Sequence, residues 1–183
     1  MRIACLGGGP SGLYFAISMK LRSPSAEVVV IERNKANDTF GWGVVLSDET
    51  LSNLAQNDPI SAKAIGENFA YWDDIALHYR GETHVSSGHG FCGIGRKKLL
   101  VLLQDRAREL GVEMRFETEV GSAEDYRREF DVVVASDGLN SRTRAQYAKT
   151  FQPETDQRLC QFVWLGTRQK FSDAFAFIFE ETE

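Results

Sequence analysis

The stretch that decides the fold is residues 1–32, MRIACLGGGPSGLYFAISMKLRSPSAEVVVIE. Residues 3–6 form a short apolar run typical of a buried strand. Apolar residues then recur at helical spacing between residues 10 and 21. Residues 28–31 are a continuous β-branched run, which is typical of a parallel strand covered on both faces. The pattern therefore predicts a βαβ unit at the start of the chain.

The turn inside this unit carries a glycine fingerprint, Gly7-x-Gly9-x-x-Gly12, and Glu32 follows twenty positions later at the end of the second strand. In dinucleotide-binding folds the first glycine permits a tight turn, the second lets the backbone approach a pyrophosphate, and the third lets helix and strand pack closely. The helix N-terminus attracts phosphate, and the acidic residue accepts ribose hydroxyls. Glu32 would repel a 2′-phosphate, so the pattern favours FAD or NAD over NADP. The alternative is a glycine turn that binds no ligand.

A second motif follows a predicted buried strand over residues 131–135. Asp137-Gly138 forms a turn there, and Ser141 opens a short helix. Taken alone, this pattern fits a capped strand–turn–helix as well as it fits a ligand site. The other elements are predicted by the same periodicities: a helix over 48–56, a hairpin over 75–85, a glycine-rich loop over 86–95, a helix over 96–110 and a strand over 112–116.

Composition excludes several functional classes. The chain has 183 residues and a net charge of −5, which argues against a nucleic-acid-binding domain. No apolar run approaches the roughly 20 residues of a membrane span. Three widely spaced cysteines, Cys5, Cys92 and Cys160, indicate reduced thiols in a cytoplasmic protein and no metal site. His89 lies in the predicted glycine loop and is a weak candidate for a substrate contact.

Three motifs in order resemble the class A flavoprotein aromatic monooxygenases, typified by p-hydroxybenzoate hydroxylase. They are the glycine fingerprint with Glu32, the Arg96 that opens a helix after a glycine loop, and Asp137-Gly138. Residues 40–48 (FGWGVVLSD) and 88–96 (GHGFCGIGR) resemble the aryl-CoA branch of that class, whose members hydroxylate salicyloyl-CoA or 2-aminobenzoyl-CoA. The resemblance covers essentially the whole chain and corresponds to the N-terminal part of such enzymes.

The resemblance implies FAD as cofactor, NAD(P)H as co-substrate, O₂, and a small aromatic acyl-CoA substrate hydroxylated through a flavin C4a-hydroperoxide. It implies no catalytic side chain and no metal, because the flavin supplies the chemistry. Val120 is an adenine contact on this view and plain core on the alternative. The expected cofactor-binding residues are Gly7, Gly9, Pro10, Ser11, Gly12, Glu32, Arg33, Trp42, Gly43, Val44, Arg96, Val120, Asp137 and Gly138.

The expected fold class is α/β, with a Rossmann-like FAD-binding domain over residues 1–150 that contains an inserted hairpin region at about 70–90. Residues 151–183 are expected to begin an antiparallel substrate-binding sheet and then stop. Five phenylalanines follow residue 159: Phe162, Phe171, Phe175, Phe177 and Phe179. Two alternatives stay open at this point. One is a different flavoprotein oxidoreductase on the same fold, and the other is a truncated, non-catalytic nucleotide-binding fragment.

Overall fold

The computed structural model describes residues 1–36, 38–159, 163, 165–167 and 174–180. Cys160, Phe162 and Phe171 lie outside the described residues. The strands are β1 (Arg2–Leu6), β2 (Glu27–Ile31), β3 (Gly43–Leu46), β4 (Ala70–Trp72), β5 (Ile75–Tyr79), β6 (Glu82–Ser86), β7 (Phe91–Gly95), β8 (Glu113–Arg115), β9 (Val132–Ala135) and β10 (Phe175–Phe179). The helices are α1 (Pro10–Arg22), α2 (Asp48–Asn57), α3 (Pro59–Gly66), α4 (Arg96–Glu109), α5 (Ala123–Arg127), α6 (Arg142–Gln146) and α7 (Ala148–Phe151).

The chain divides into two compact units. The first contains residues 1–40 and 99–163, and the second contains residues 41–98 and 164–183. The predicted boundary near residue 150 stays a prediction.

The first unit is built on a four-stranded sheet in the order β8-β2-β1-β9, and every pair in it is parallel. Strands β1 and β2 pair over their full length, and α1 connects them, so the predicted βαβ unit is confirmed. Residues Leu13, Ala16 and Ile17 bury the apolar face of α1. The expected α/β fold class is confirmed by this arrangement together with the sheets of the second unit.

One face of the parallel sheet packs into a hydrophobic cluster. Its buried members are Ala4, Leu6, Val29, Ile31, Ala123 and Phe130. Because side chains alternate along a strand, the intervening residues of β1 and β2 point to the opposite face, and they are buried as well. This two-sided burial is why residues 28–31 are apolar without interruption.

Helix α4 confirms the predicted helix over residues 96–110. Leu99, Leu103 and Ala107 are buried on one face. Gly111 follows the helix with a φ of 77°, the left-handed conformation that commonly ends helices.

Strand β9 was expected to be buried, and in the structure it is the edge strand beside β1. Val132 is 39% exposed, and among the described residues no strand pairs with the other side of β9. A run of valines suits an edge strand as well as a central one, so composition alone did not separate the two.

The second unit contains an antiparallel sheet in the order β3-β7-β4. Its central strand, β7, overturns the second half of the predicted loop over residues 86–95, whereas residues 87–90 belong to no helix or strand, as predicted. Cys92 and Ile94 are buried and alternate with Gly93. A β-carbon on Gly93 would lie about 2.9 Å from the Trp72 ring, which is too close for a side chain. The Trp72 indole therefore leaves room only for glycine at position 93. A strand that contains glycine in this way has a composition typical of a loop.

The second sheet of this unit has the order β10-β5-β6. The hairpin predicted over residues 75–85 is confirmed, and Arg80 and Gly81 both have positive φ in its two-residue turn. Strand β10 pairs with β5 in parallel, although its alternating pattern was expected to have an antiparallel neighbour. An alternating pattern of residues indicates that the two faces of a strand have different environments, and it does not indicate the direction of the neighbouring strand.

Candidate functional site

The glycine turn lies directly after β1. The N–H of Gly7 donates to the Ile31 carbonyl at 2.8 Å, which ties the turn to the end of β2. Gly7 has a φ of 114°, and a β-carbon there would lie 2.3 Å from the Ser136 carbonyl oxygen. No side chain fits at this position, so Gly7 performs the tight-turn role that its place in the fingerprint predicts.

Gly12 lies in the first turn of α1, against the backbone of the same glycine turn. A β-carbon on Gly12 would lie 2.1 Å from the Gly7 carbonyl oxygen and 2.6 Å from the Ser136 hydroxyl. The helix therefore approaches the strand end more closely than any side chain permits. This is the packing role predicted for the third glycine of the fingerprint.

Gly9 differs from the other two glycines. A β-carbon on Gly9 would meet nothing within 4 Å. Gly9 is the N-cap of α1, Pro10 opens the helix, and no described side chain caps it. The first turn carries no acidic residue, and Ser11 is exposed. The result is an open space in front of uncapped helix N–H groups, where a pyrophosphate would fit.

Glu32 follows the last residue of β2, with its carboxylate beside the glycine turn. Oε2 accepts from the Gly8 N–H at 2.8 Å. Oε1 accepts from the backbone N–H and the side-chain amide of Asn34, at 2.8 and 2.7 Å. Two carboxylate oxygens have about four acceptor positions, so capacity remains for a ribose hydroxyl. The neighbouring Arg33 is exposed.

Asp137 faces the short helix α6. Its carboxylate accepts from the Ser141 hydroxyl at 2.6 Å and from the N–H and hydroxyl of Thr143 at 3.0 and 3.1 Å. Burial raises the pKa of the Asp137 carboxyl, but the hydrogen bonds from Ser141 and Thr143 outweigh it, so the net pKa is below its ordinary value. Gly138 then takes a φ of 79°. The capping interpretation of this motif is therefore realised in the structure, and a ligand role for Asp137 stays a prediction.

Val120 lies in the loop after β8. It is half-buried and packs against the hydrophobic cluster around Phe130. The side chain therefore makes the core contact that the alternative to an adenine contact predicts. The backbone of Val120 is the group that is proposed to contact an adenine.

The remaining predicted residues belong to the second unit. Gly43 and Val44 open β3, and Trp42 precedes them with its indole 65% exposed. The N–H of Arg96 donates to the Trp42 carbonyl at 3.1 Å. The Nε atom of Arg96 is buried and, within the described part of the chain, has no hydrogen-bond partner. Leaving a cationic N–H buried and unpaired is costly, so this Nε–H is a donor that an anionic ligand could satisfy.

Three site-related residues were not singled out from the sequence. Gly8 and Asn34 hold the Glu32 carboxylate, and Ser136 lies between β9 and Asp137, against the glycine turn. Ser136 reaches the glycine turn because β9 pairs with β1 in parallel, which places the ends of both strands at one edge of the sheet, and no local signal in the sequence marks this pairing. His89, a weak candidate, hydrogen-bonds through Nε2 to the Ser86 hydroxyl at 2.7 Å.

The residues of the first unit fit the ADP part of FAD. The open space at Gly9, the uncapped start of α1 and the carboxylate at the end of β2 are the donor and acceptor set that a pyrophosphate and a ribose require. Within the described ranges, no group of three or more His, Cys, Asp or Glu side chains could hold a metal ion. No helix in the described part of the chain is long and apolar enough to cross a membrane.

Comparisons with known proteins point the same way. Salicyloyl-CoA 5-hydroxylase from a Streptomyces species is 44% identical over 181 residues, which is 99% of this chain and 35% of that protein. Protodeoxyviolaceinate monooxygenase from Chromobacterium violaceum is 31% identical over 93% of this chain and 46% of its own length. The chain thus spans about a third to a half of these relatives, one of which is named as a hydroxylase and the other as a monooxygenase.

A solved structure of a variant of 2-methyl-3-hydroxypyridine-5-carboxylic acid oxygenase superposes with a TM-score of 0.69. It is 23% identical and covers 79% of this chain and 41% of its own, so it supports the fold alone. The family model described as FAD binding domain matches residues 1–148. Because this match covers most of the chain and includes the glycine turn and Glu32, the chain belongs to the FAD-binding domain family.

Proposed function

We propose that the whole protein is an FAD-dependent, NAD(P)H-consuming monooxygenase that hydroxylates the ring of an aromatic acyl-CoA thioester. The observation that carries the FAD-dependent part is the joint geometry of Gly9 and Glu32, an open phosphate cradle beside a fixed ribose acceptor. The substrate class rests on the 44% identity to a protein named salicyloyl-CoA 5-hydroxylase.

The chain's own residues bind and orient the cofactor. The N–H groups at the start of α1 bind the pyrophosphate, and Gly9 leaves room for it. Glu32 accepts the adenosine ribose hydroxyls, and its charge disfavours a 2′-phosphate at this position. Val120 contacts the adenine through its backbone, and Gly138, in its left-handed turn, brings the backbone near the cofactor.

In the second unit, Trp42, Gly43 and Val44 are the proposed flavin neighbours. Arg96 is the proposed partner for the ribityl–pyrophosphate region, because a guanidinium matches phosphate geometry and its Nε lacks a partner in the described part of the chain. Residues 1–150 are the proposed FAD-binding domain, and residues 151–183 the proposed start of the substrate-binding sheet.

FAD, when bound and reduced, supplies the activation of O₂ that amino-acid side chains cannot provide. The balanced reaction takes the arene, O₂, NAD(P)H and a proton to the phenol, water and NAD(P)⁺. The protein contributes orientation of the ring and exclusion of water. We also propose a cytoplasmic location, where buried thiols such as Cys5 and Cys92 stay reduced.

The test uses the whole protein with FAD, O₂ and either NADH or NADPH. Salicyloyl-CoA or 2-aminobenzoyl-CoA is expected to stimulate nicotinamide oxidation and to gain one oxygen atom, seen by mass spectrometry. Free salicylate is the control for the thioester. Protein that binds FAD but oxidises no nicotinamide faster with either thioester contradicts the substrate class and leaves the FAD assignment intact.

A second outcome is favoured by the 31% identity to a protein named protodeoxyviolaceinate monooxygenase. A hydroxylase of an aromatic substrate without a thioester would show stimulated oxidation with such a compound and none with either CoA ester. The same assay therefore separates the two substrate classes.

A further inference from the structure

The Ser136 hydroxyl lies at the meeting point of three segments of the first unit. Its Oγ donates to the Gly7 carbonyl at 3.0 Å, a bond that it shares with the Leu6 carbonyl at 3.1 Å. The N–H of Ser136 also donates to the Leu6 carbonyl, at 2.9 Å. The hydroxyl would lie 2.6 Å from a β-carbon on Gly12, so it also lies against the first turn of α1.

The Gly7 carbonyl and the Gly8 N–H belong to one peptide group, which is planar and rotates as a unit. At one end of this group the carbonyl oxygen accepts from Ser136. At the other end the N–H donates to Oε2 of Glu32 at 2.8 Å. A single peptide group therefore connects the end of β9 to the carboxylate at the end of β2.

Glycines on both sides make this peptide group easy to reorient. Gly7 and Gly8 lack the β-carbons that would restrict its rotation in an isolated chain. Its fixed orientation therefore depends on what holds its two ends. The Ser136 carbonyl lies against Gly7 from the other side, 2.3 Å from where a β-carbon would be, so Ser136 confines this residue with both its backbone and its side chain.

We propose that Ser136 is a positioning residue for cofactor binding: its hydroxyl orients the Gly7–Gly8 peptide group, and this group in turn holds the Glu32 carboxylate in place for the ribose. The inference rests on the proposed binding of FAD at the glycine turn. It assigns Ser136 a role through the Gly7–Gly8 peptide group and no contact with the cofactor.

A double-mutant cycle tests the coupling. FAD dissociation constants are measured for the wild type, Ser136→Ala, Glu32→Ala and the double variant. Loss of one hydrogen bond is expected to weaken FAD binding about tenfold in Ser136→Ala. In the double variant the loss is expected to be several-fold smaller than the product of the two single losses, because both act through one peptide group.

Ser122→Ala is the matched control. Ser122 belongs to the same unit, and its hydroxyl accepts from the Glu124 N–H at 3.2 Å and from the Gln146 amide at 2.9 Å. Removing the Ser122 hydroxyl deletes hydrogen bonds at the start of α5, as many as Ser136→Ala deletes, but away from the glycine turn. Ser122→Ala is expected to leave FAD affinity within twofold and to combine multiplicatively with Glu32→Ala.

A readout without cofactor separates this proposal from the proposed function. In the FAD-free protein, amide exchange at Gly8 is expected to accelerate about tenfold in Ser136→Ala and to stay unchanged in Ser122→Ala. Ser136→Cys, a weaker donor, is expected to fall between wild type and Ser136→Ala.

Wild-type protein that binds FAD while Ser136→Ala shows unchanged affinity and unchanged Gly8 exchange overturns the positioning role. Wild-type protein that binds no FAD overturns the proposed function instead, and Gly8 exchange then still decides whether Ser136 holds the peptide group.

Discussion

The backbone N–H of Gly8 donates to Oε2 of Glu32 across 2.8 Å, and a β-carbon on Gly8 would lie 2.8 Å from the Glu32 β-carbon. The glycine turn and the Glu32 carboxylate, the proposed ribose acceptor, are thus held together by direct contacts. Asn34 holds the other carboxylate oxygen. A carboxylate fixed in this way loses little further freedom when a ligand binds, which favours affinity.

Replacing Glu32 by Gln is expected to weaken FAD binding about tenfold, since a charge-assisted acceptor for the ribose becomes a neutral one. Isothermal titration of the apoprotein measures the effect. Glu27→Gln is the control, because Glu27 is an exposed residue at the opposite end of the same strand. Equal affinities for the two variants would remove Glu32 from the cofactor site.

Two glycine substitutions are expected to have opposite consequences. Gly12→Ala forces a methyl group to within 2.1 Å of the Gly7 carbonyl and is expected to destabilise the fold by about 1–3 kcal/mol or more. Gly9→Ala meets nothing within 4 Å and has an ordinary φ of −72°, so its cost in stability is expected to stay near 1 kcal/mol.

The FAD affinity of Gly9→Ala is nevertheless expected to fall more than tenfold, because the methyl group occupies the space proposed for the pyrophosphate. Thermal unfolding without FAD and titration with FAD separate the two effects. A Gly9→Ala variant that binds FAD normally would contradict the cradle, and a fully stable Gly12→Ala variant would contradict the packing.

The βαβ unit and its cofactor fingerprint could be predicted because their signals are local. Periodicity, three glycines and Glu32 all lie within residues 1–32. Strand β7 could not be predicted, because its Gly93 is required by Trp72, which lies 21 positions earlier in the sequence. The parallel partner of β10 and the role of Ser136 likewise depend on which distant strands become neighbours. Pairings of this kind leave no mark on local composition.

Asp137 is expected to stabilise the fold in a pH-dependent way. Because its pKa is lower in the folded chain than in the unfolded chain, its contribution is fully present above the unfolded-state pKa of about 3.9 and is lost as the pH falls through the folded-state pKa. Asp137→Asn is expected to cost about 1–3 kcal/mol at neutral pH, since an amide cannot accept from Ser141 and Thr143 as a carboxylate does.

Denaturant unfolding of wild type and Asp137→Asn between pH 2 and 7 measures this difference, with the exposed Asp125→Asn as control. The gap between wild type and Asp137→Asn is expected to narrow as the solution becomes acidic. A gap that is constant across this range would show that the carboxylate charge contributes nothing.

The two described cysteines are expected to resist thiol reagents in the native protein. Burial raises the pKa of the Cys5 thiol to about 12, and burial likewise raises the pKa of Cys92. Both side chains are inaccessible, and thiolates are the reactive species. Alkylation at pH 8 followed by peptide mapping is expected to label neither residue in the native state and both after unfolding. Native labelling of Cys5 would contradict its place in the parallel sheet.

Arg96 is expected to lower the stability of the FAD-free protein and to raise its affinity for FAD. Its Nε is buried without a described partner, and it places a cation at the start of α4, where the helix dipole is unfavourable to positive charge. Arg96→Met keeps a long side chain and removes both costs, so the FAD-free protein is expected to become as stable or more stable, by up to about 1 kcal/mol. Its FAD affinity is expected to fall at least tenfold, because the proposed phosphate partner is gone.

Lys97→Met is the matched control, since Lys97 occupies the next position of the same helix turn and is exposed. It also removes a cation from the helix start, but it is expected to leave FAD affinity within twofold. Thermal unfolding with and without FAD reports both quantities for each variant. A stable Arg96→Met protein with weakened FAD binding is the outcome expected if Arg96 serves to bind an anionic ligand. A loss of stability with unchanged FAD affinity would show instead that the guanidinium supports the fold.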